Sequence, residues 1–299
     1  MRTYARQSAL WSWLALFFAA ILSNGCAINP ANAPGDNQVE TNPSEEIIED
    51  ELAFMTVYGG QTHSTWNPAN DTTFDAATIL YTEDGDLPYT VGYVEAPAFT
   101  AEDIPEYAGS DWVEINNGYP FFVEIPATEF FISLSEYDAL GRCGPAMMLM
   151  GAETMQFGTR SDMGNGKPTG WVQKKYPGIV GNETGNPWLL QRTHLLGWFA
   201  TGLTGEYHNL ISMTQQANGE AMLTWEMHAA YYVEDTGNHI VYRVTPIFQG
   251  EDLMCQGVLM EGVSIEEPTW SFCVFIYNRQ NGIILDYATG ASKEVESTS

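Results

Sequence analysis

The sequence predicts an α+β fold built on an antiparallel β-sheet. Three observations carry that expectation. Four β-branched and aromatic runs near the C-terminus, 240–248, 253–263, 270–277 and 283–287, are separated by turns at Gly250, Glu266 to Pro268 and Asn281-Gly282. One helical stripe precedes them: positions 222, 225, 229, 230 and 233 are apolar within 221–233, and Gly237-Asn238 ends it. A Gly-, Pro- and Asn-rich loop over 156–190 comes before the helix. Strands, a long loop, one helix and then a meander describe segregated α and β elements rather than alternating βα units.

The elements follow from the N-terminus onward. Residues 1–25 have the plan of an export signal: Arg2 and Arg6, an apolar run of 14 residues over 9–22, then small residues. That run is short for a membrane-spanning helix, which needs about 20 residues. Gly25-Cys26 resembles the junction of a bacterial lipoprotein signal, which makes Cys26 the expected lipidation residue. An ordinary cleaved signal is the other reading. Both place the mature chain outside the cytoplasm, on the cell surface if the anchor forms. Residues 26–51 carry Pro30, Pro34, Pro43 and seven acids, and are expected to be an acidic tether. Residues 52–103 form an extension without an assigned structure, 104–290 a globular domain, and 291–299 a polar tail.

Within the globular part, 112–116 and 119–125 flank Asn117-Gly118, a hairpin signal. Residues 142–155 are rich in Met and Ala and are expected to be helical, with Gly144-Pro145 at the start. Cys143, Cys255 and Cys273 allow at most one disulfide within the chain once Cys26 is set aside.

Charge restricts function. The chain has 11 Lys and Arg against 38 Asp and Glu, a formal charge of −27. Such a field repels polyanions and anionic lipid headgroups. Residues 26–103 contribute 15 acids and no Lys or Arg.

Chemistry concentrates further on. Gln191-Arg192-Thr193-His194 is followed by Asn209, then by Asn218 at the entrance of the expected helix, then by Glu226 two turns into it. Taken singly, His194 reads as a structural histidine, Asn218 as a helix N-cap and Glu226 as a solvated helix residue.

Taken together they resemble the secreted bacterial DNA/RNA non-specific endonucleases of the streptodornase type, with a ββα-metal (His-Me finger) core. The resemblance starts at Ile104-Pro105-Glu106-Tyr107 and includes Leu140-Gly141-Arg142-Cys143-Gly144, Lys167-Pro168-Thr169-Gly170-Trp171 and Thr236-Gly237-Asn238-His239. It continues through Tyr242-Arg243-Val244-Thr245-Pro246-Ile247-Phe248 to Leu285-Asp286-Tyr287-Ala288-Thr289-Gly290. It implies a ββα-metal core on an antiparallel sheet with flanking helices. It also implies His194 as general base, an imidazole whose ordinary pKa of about 6.5 suits proton transfer near neutrality. Asn218 matches the ligand of a single Mg²⁺, with Mn²⁺ as an accepted substitute. Glu226 matches the acid that orients a water on that ion. Arg192 matches the phosphate clamp. Asn209 matches an Asn that holds the loop and substrate.

Where relatives carry Asp or Asn before the Arg, this chain has Gln191, a departure expected to loosen the loop. The implied partner is nucleic acid without sequence preference, which needs phosphate contacts and no base readout. Lys167, Lys174, Lys175 and Arg192 are the expected substrate-binding bases, and Arg142, Arg160, Arg243 and Arg279 are further available cations. His208, His228 and His239 lack the close pairing of a structural zinc site, so no zinc is expected. The alternative is a weak or inactive surface lipoprotein that uses the fold for binding. Retention of His194, Asn218 and Glu226 favours the enzyme.

Overall fold

A computed structural model describes residues 87–122, 130–155, 162–182 and 185–296. The export signal, Cys26, the acidic tether, the extension as far as 86 and Arg160 lie outside the described residues. The strands, in chain order, are β1 (Thr90–Gly92), β2 (Trp112–Glu114), β3 (Ile132–Ser135), β4 (Ala146–Met150), β5 (Leu190–His194) and β6 (Leu210–Thr214). They continue with β7 (Ile240–Ile247), β8 (Gly257–Ser264), β9 (Ser271–Tyr277), β10 (Ile283–Asp286) and β11 (Ala291–Glu294). The helices are a short α1 (Trp198–Thr201) and a longer α2 (Leu223–Thr236).

Seven strands form one sheet in the order β1-β3-β4-β7-β8-β9-β2. Every neighbouring pair is antiparallel except β1 on β3, which is parallel. Period-two alternation gives this sheet two apolar faces. Met148 and Met150, Tyr242 and Val244, Val258 and Met260, and Phe272 and Val274 point to one side. There they meet Ala221, Met222, Trp225, Ala229 and Val233 of the helical segment. On the other side, Met147, Leu149, Val241 and Val263 pack with Val94 and Phe122. Leu259, Cys273 and Phe275 pack there with Phe99 and Ile115. Strands buried on both faces read as unbroken apolar runs.

That double burial overturns the helix expected over 142–155. Residues 146–150 form strand β4, paired with β3 and β7 and buried throughout. A short apolar run has no periodicity that separates a two-sided strand from a core helix.

The hairpin at 112–125 is also corrected. The turn exists, with Asn116 and Asn117 at φ 51° and 54°. Strand β2 nevertheless pairs with β9, not with 119–122, and 123–129 lie outside the described residues. Residues 291–294, expected in a polar tail, form β11 and pair with β10 as a separate hairpin. The meander expectation therefore holds for β7–β9 but not for 283–287, which leaves the large sheet.

The described part of the extension is integral to the sheet. Thr90–Gly92 is its edge strand, Val94 and Phe99 are buried beneath it, and the Glu95 carbonyl accepts from Arg243 at 2.9 Å. Arg243 and Glu261 face each other across β7 and β8 in a fully buried two-bond ion pair, with Nε–Oε2 at 2.6 Å and Nη2–Oε1 at 3.0 Å. Cys143, Cys255 and Cys273 are buried free thiols.

Candidate active site

The site grows from a small unit laid against the large sheet. Strands β5 and β6 pair antiparallel from Leu190↔Thr214 to His194↔Leu210, and the chain then passes directly into helix. Thr214 begins that helix: its Oγ1 accepts from the Ala217 amide at 3.1 Å and donates to the Arg279 carbonyl at 2.6 Å. A hydroxyl at this place satisfies an amide that the helix leaves without a partner. Residues 217–222 form a π turn, which runs into α2 and ends at Gly237 in the left-handed region, φ 72°. The resulting unit is strand, strand, helix, as the resemblance implies.

His194 ends β5 and is 7% exposed. Its Nε2 lies 3.0 Å from the Thr204 carbonyl. A carbonyl only accepts, so a neutral ring donates from Nε2 and carries its basic lone pair on Nδ1.

Asn209 is fully buried, and its amide is committed twice to Leu196, Nδ2 to the carbonyl and Oδ1 from the amide, both at 2.9 Å. Its own carbonyl accepts from Leu195 at 2.8 Å. Asn209 thus clamps the chain that leaves His194. Both ends of its amide are engaged on the backbone, the arrangement of a group that holds the loop.

Asn218 lies inside the π turn, where its carbonyl accepts from the Leu223 amide. Its side chain is not an N-cap; that role belongs to Thr214. Nδ2 of Asn218 instead donates to Oε1 of Gln191 on β5. One-turn π segments recur at functional positions of helices.

Glu226 is turned toward the β5–β6 connection rather than toward solvent alone. A Cβ built on Gly197 would meet the Phe199 ring first and would lie 2.9 Å from Oε1 of Glu226, so a side chain there would push both aside. Beneath it, burial pushes the Tyr242 hydroxyl well above the usual tyrosine range, and the Glu226 charge adds to that.

Arg192 donates from Nη1 to the Gly164 carbonyl at 2.6 Å, and its Nε is buried without a partner. The same glycine loop is held by Tyr207, whose hydroxyl accepts from Gly166 at 3.0 Å and donates to Met163 at 3.3 Å. Lys167 follows this loop and is exposed. Lys174 and Lys175 are exposed too, and rest over the rings of Tyr176 and Trp188, just before β5.

Three further cations are committed elsewhere. Arg142 binds Asp138 and the carbonyls of Gly250 and Asp252, Arg243 binds Glu261, and Arg279 binds Asp111 over the Tyr107 ring.

Asn218 is thereby tied to the strand that bears His194, and the Glu226 carboxylate lies beside Gly197 three residues beyond it. Sequence reasoning missed Thr204, Gly197, Tyr207 and Thr214. Thr204 acts through its carbonyl and Gly197 through a missing side chain, so neither carries a residue-type signal. Among the described residues no three His, Cys, Asp or Glu side chains converge as a metal cage.

Residues 165–265 match the sequence profile of DNA/RNA non-specific endonuclease. The chain is similar to NucA from Streptococcus agalactiae in its magnesium-bound crystal structure, with a TM-score of 0.53 and 20% identity, over 61% of this chain and 87% of NucA. The metal-free NucA structure gives 0.53 and 21%, over 66% and 92%. A zinc-bound structure of Sda1 nuclease gives 0.48 and 20%, over 56% and 81%. At such identities the NucA likeness concerns the fold.

Proposed function

We propose that the chain carries a DNA/RNA non-specific endonuclease domain, whose profile residues 165–265 match, and that it is an exported, Mg²⁺-dependent phosphodiesterase with His194 as general base. The observation that carries this is the strand-strand-helix unit itself. It sets His194 at the end of one strand, with Asn218 and Glu226 on the helix that follows the next.

His194 takes the proton of the attacking water at Nδ1, and the Thr204 carbonyl holds the resulting imidazolium through Nε2. Asn209 keeps the backbone beyond His194 in place while the charge appears. Arg192 exchanges the Gly164 carbonyl for a phosphate oxygen, which suits a guanidinium whose Nε lacks a partner. Lys167, Lys174 and Lys175 supply further backbone contacts, consistent with cleavage that ignores sequence.

The residues fit one Mg²⁺. The Asn218 amide has its Nδ2 tied to Gln191, so its Oδ1 is the end presented to a cation. One neutral oxygen suits an ion that keeps most of its waters. Glu226 adds a carboxylate acceptor for such waters. Bound there, Mg²⁺ would neutralise charge on the phosphate and stabilise the leaving oxygen.

Export rests on Arg2, Arg6 and the apolar run over 9–22, with Cys26 as the lipid attachment point that would keep the enzyme on the cell surface. The test of the activity is nicking of supercoiled plasmid, and digestion of RNA, by the purified mature chain with Mg²⁺ and with excess chelator. Nicking that needs the metal supports the proposal. Binding without cleavage at any Mg²⁺ concentration overturns it.

A further inference from the structure

Gln191 stands where the resemblance leads to Asp or Asn, and the proposed mechanism uses it only as the tie on Asn218 Nδ2. It lies on β5 three residues before His194 and is 8% exposed. Its Oε1 accepts from Nδ2 of Asn218, joining the strand to the π turn. Its own Nε2 is buried without a partner. A buried donor left unpaired is costly, because it has given up water without gaining a partner. The chain bears that cost while the acceptor end stays on Asn218.

The two ends of an asparagine amide are not equivalent toward a cation. Oδ1 has lone pairs and coordinates; Nδ2 has only protons to offer and repels. An unrestrained Asn218 would present either end. We infer that Gln191 is a positioning residue that fixes the Asn218 amide so that Oδ1 meets the divalent cation. This inference rests on the reading of Asn218 as the metal ligand. It also accounts for Gln at this position: a neutral acceptor orients the amide without placing a second charge beside it.

Mg²⁺ affinity of the full mature chain, measured by calorimetric titration and by the Mg²⁺-induced rise in Tm, tests it. Gln191→Met keeps the length and removes the acceptor. It should weaken Mg²⁺ binding about 10–100-fold, the usual effect of losing a group that orients a ligand. Gln191→Glu can only accept, so it should bind Mg²⁺ at least as tightly as the parent. Parental affinity in Gln191→Met overturns the inference. So does a Gln191→Glu variant as weak as Gln191→Met, because the working orientation would then need Gln191 to donate. Should Gln191→Met fail to fold, selective ¹⁵N labelling of side-chain amides in the parent gives the answer. The Gln191 and Asn218 signals should move together on adding Mg²⁺, and a stationary Gln191 signal beside a moving Asn218 signal overturns the inference. Asn218→Ala separates the two claims: parental Mg²⁺ affinity in that variant refutes the ligand assignment itself.

Discussion

Nε2 of His194 lies 3.0 Å from the carbonyl oxygen of Thr204 in the loop that leads back to β6. In the proposed mechanism this contact leaves Nδ1 to take the proton. His194→Ala should cost about 10²–10⁴ in cleavage rate, the usual worth of a positioned proton acceptor. Plasmid relaxation at saturating Mg²⁺ measures it. A folded variant that cuts at the parental rate would place the base elsewhere.

Asn209 tests positioning against chemistry. Asn209→Ala leaves both the amide and the carbonyl of Leu196 unpaired in a buried place. Each such loss costs about 1–3 kcal/mol, and a domain of this size loses about 2–4 °C in Tm per kcal/mol. The expected result is a lower melting point together with a lower rate. A reduced rate at an unchanged melting point would make Asn209 a substrate contact instead.

Gly197 has no side chain, yet Gly197→Ala should damage activity. Its new Cβ would press on Oε1 of Glu226 and on the Phe199 ring. The loss should approach that of Glu226→Gln, about 10–100-fold for a group in the role proposed for Glu226. Parallel kinetics of the two variants check this, and full activity of Gly197→Ala would show that Glu226 need not sit where it does.

His239 predicts a pH dependence of stability. Its ring bridges two carboxylates, Nδ1 to Glu266 at 2.6 Å and Nε2 to Glu153 at 2.9 Å. Burial works to lower its pKa, but the two acids outweigh it and the net shift is upward. A histidine whose folded pKa is raised stabilises fully below its unfolded value, about 6.5, and loses that contribution as pH rises through the folded value. His239→Gln should therefore destabilise most near pH 6 and matter progressively less as pH rises through the folded value, toward pH 9. Urea titrations at the two pH values would reveal it, and an equal loss at both would deny the bridge any ionic character.

The boundary of the working domain is testable by truncation. A chain starting at Ile104 lacks β1, Val94, Phe99 and the Glu95 carbonyl, and should be unstable. A chain starting at Leu87 keeps them and sheds 12 of the 15 acids of 26–103. It should attack DNA faster than the full mature chain at about 0.01 M salt, where the Debye length is about 30 Å, and show little advantage at 0.15 M, where it is about 8 Å. Cleavage rate against ionic strength decides it. A folded Leu87 chain that is slower at every salt concentration would mean the acidic segment helps catalysis.

Much of the fold is legible in the amino-acid sequence alone. The helix over 221–233 with its stop at Gly237 and the strands β7 to β9 carry local signals, because a helix stripe and a turn residue act within a few positions, whereas the string from Gln191 to Glu226 stands out only through the family resemblance. What is not legible has a common cause. Ala146–Met150 looks helical because burial on two faces erases alternation. β2 leaves its neighbour for β9, and residues 87–103 join the sheet edge, through contacts more than 40 residues apart in sequence. Arg243 reads as a free cation until Glu261 appears across the ladder. The purpose of Gln191 lies 27 residues away, on Asn218.

The three thiols give this protein an internal clock for opening. Burial pushes Cys143 and Cys255 up to about 12 and Cys273 higher still, so hardly any thiolate exists near neutral pH. They sit in three different places: under the β5–β6 connection, before β8, and on the far face of β9. An alkylating reagent would then count separate events, loosening of the β5–β6 unit through Cys143 and breaching of the sheet's opposite side through Cys273. The order in which the three sulfurs are modified would trace the sequence in which the two sides of the molecule come apart.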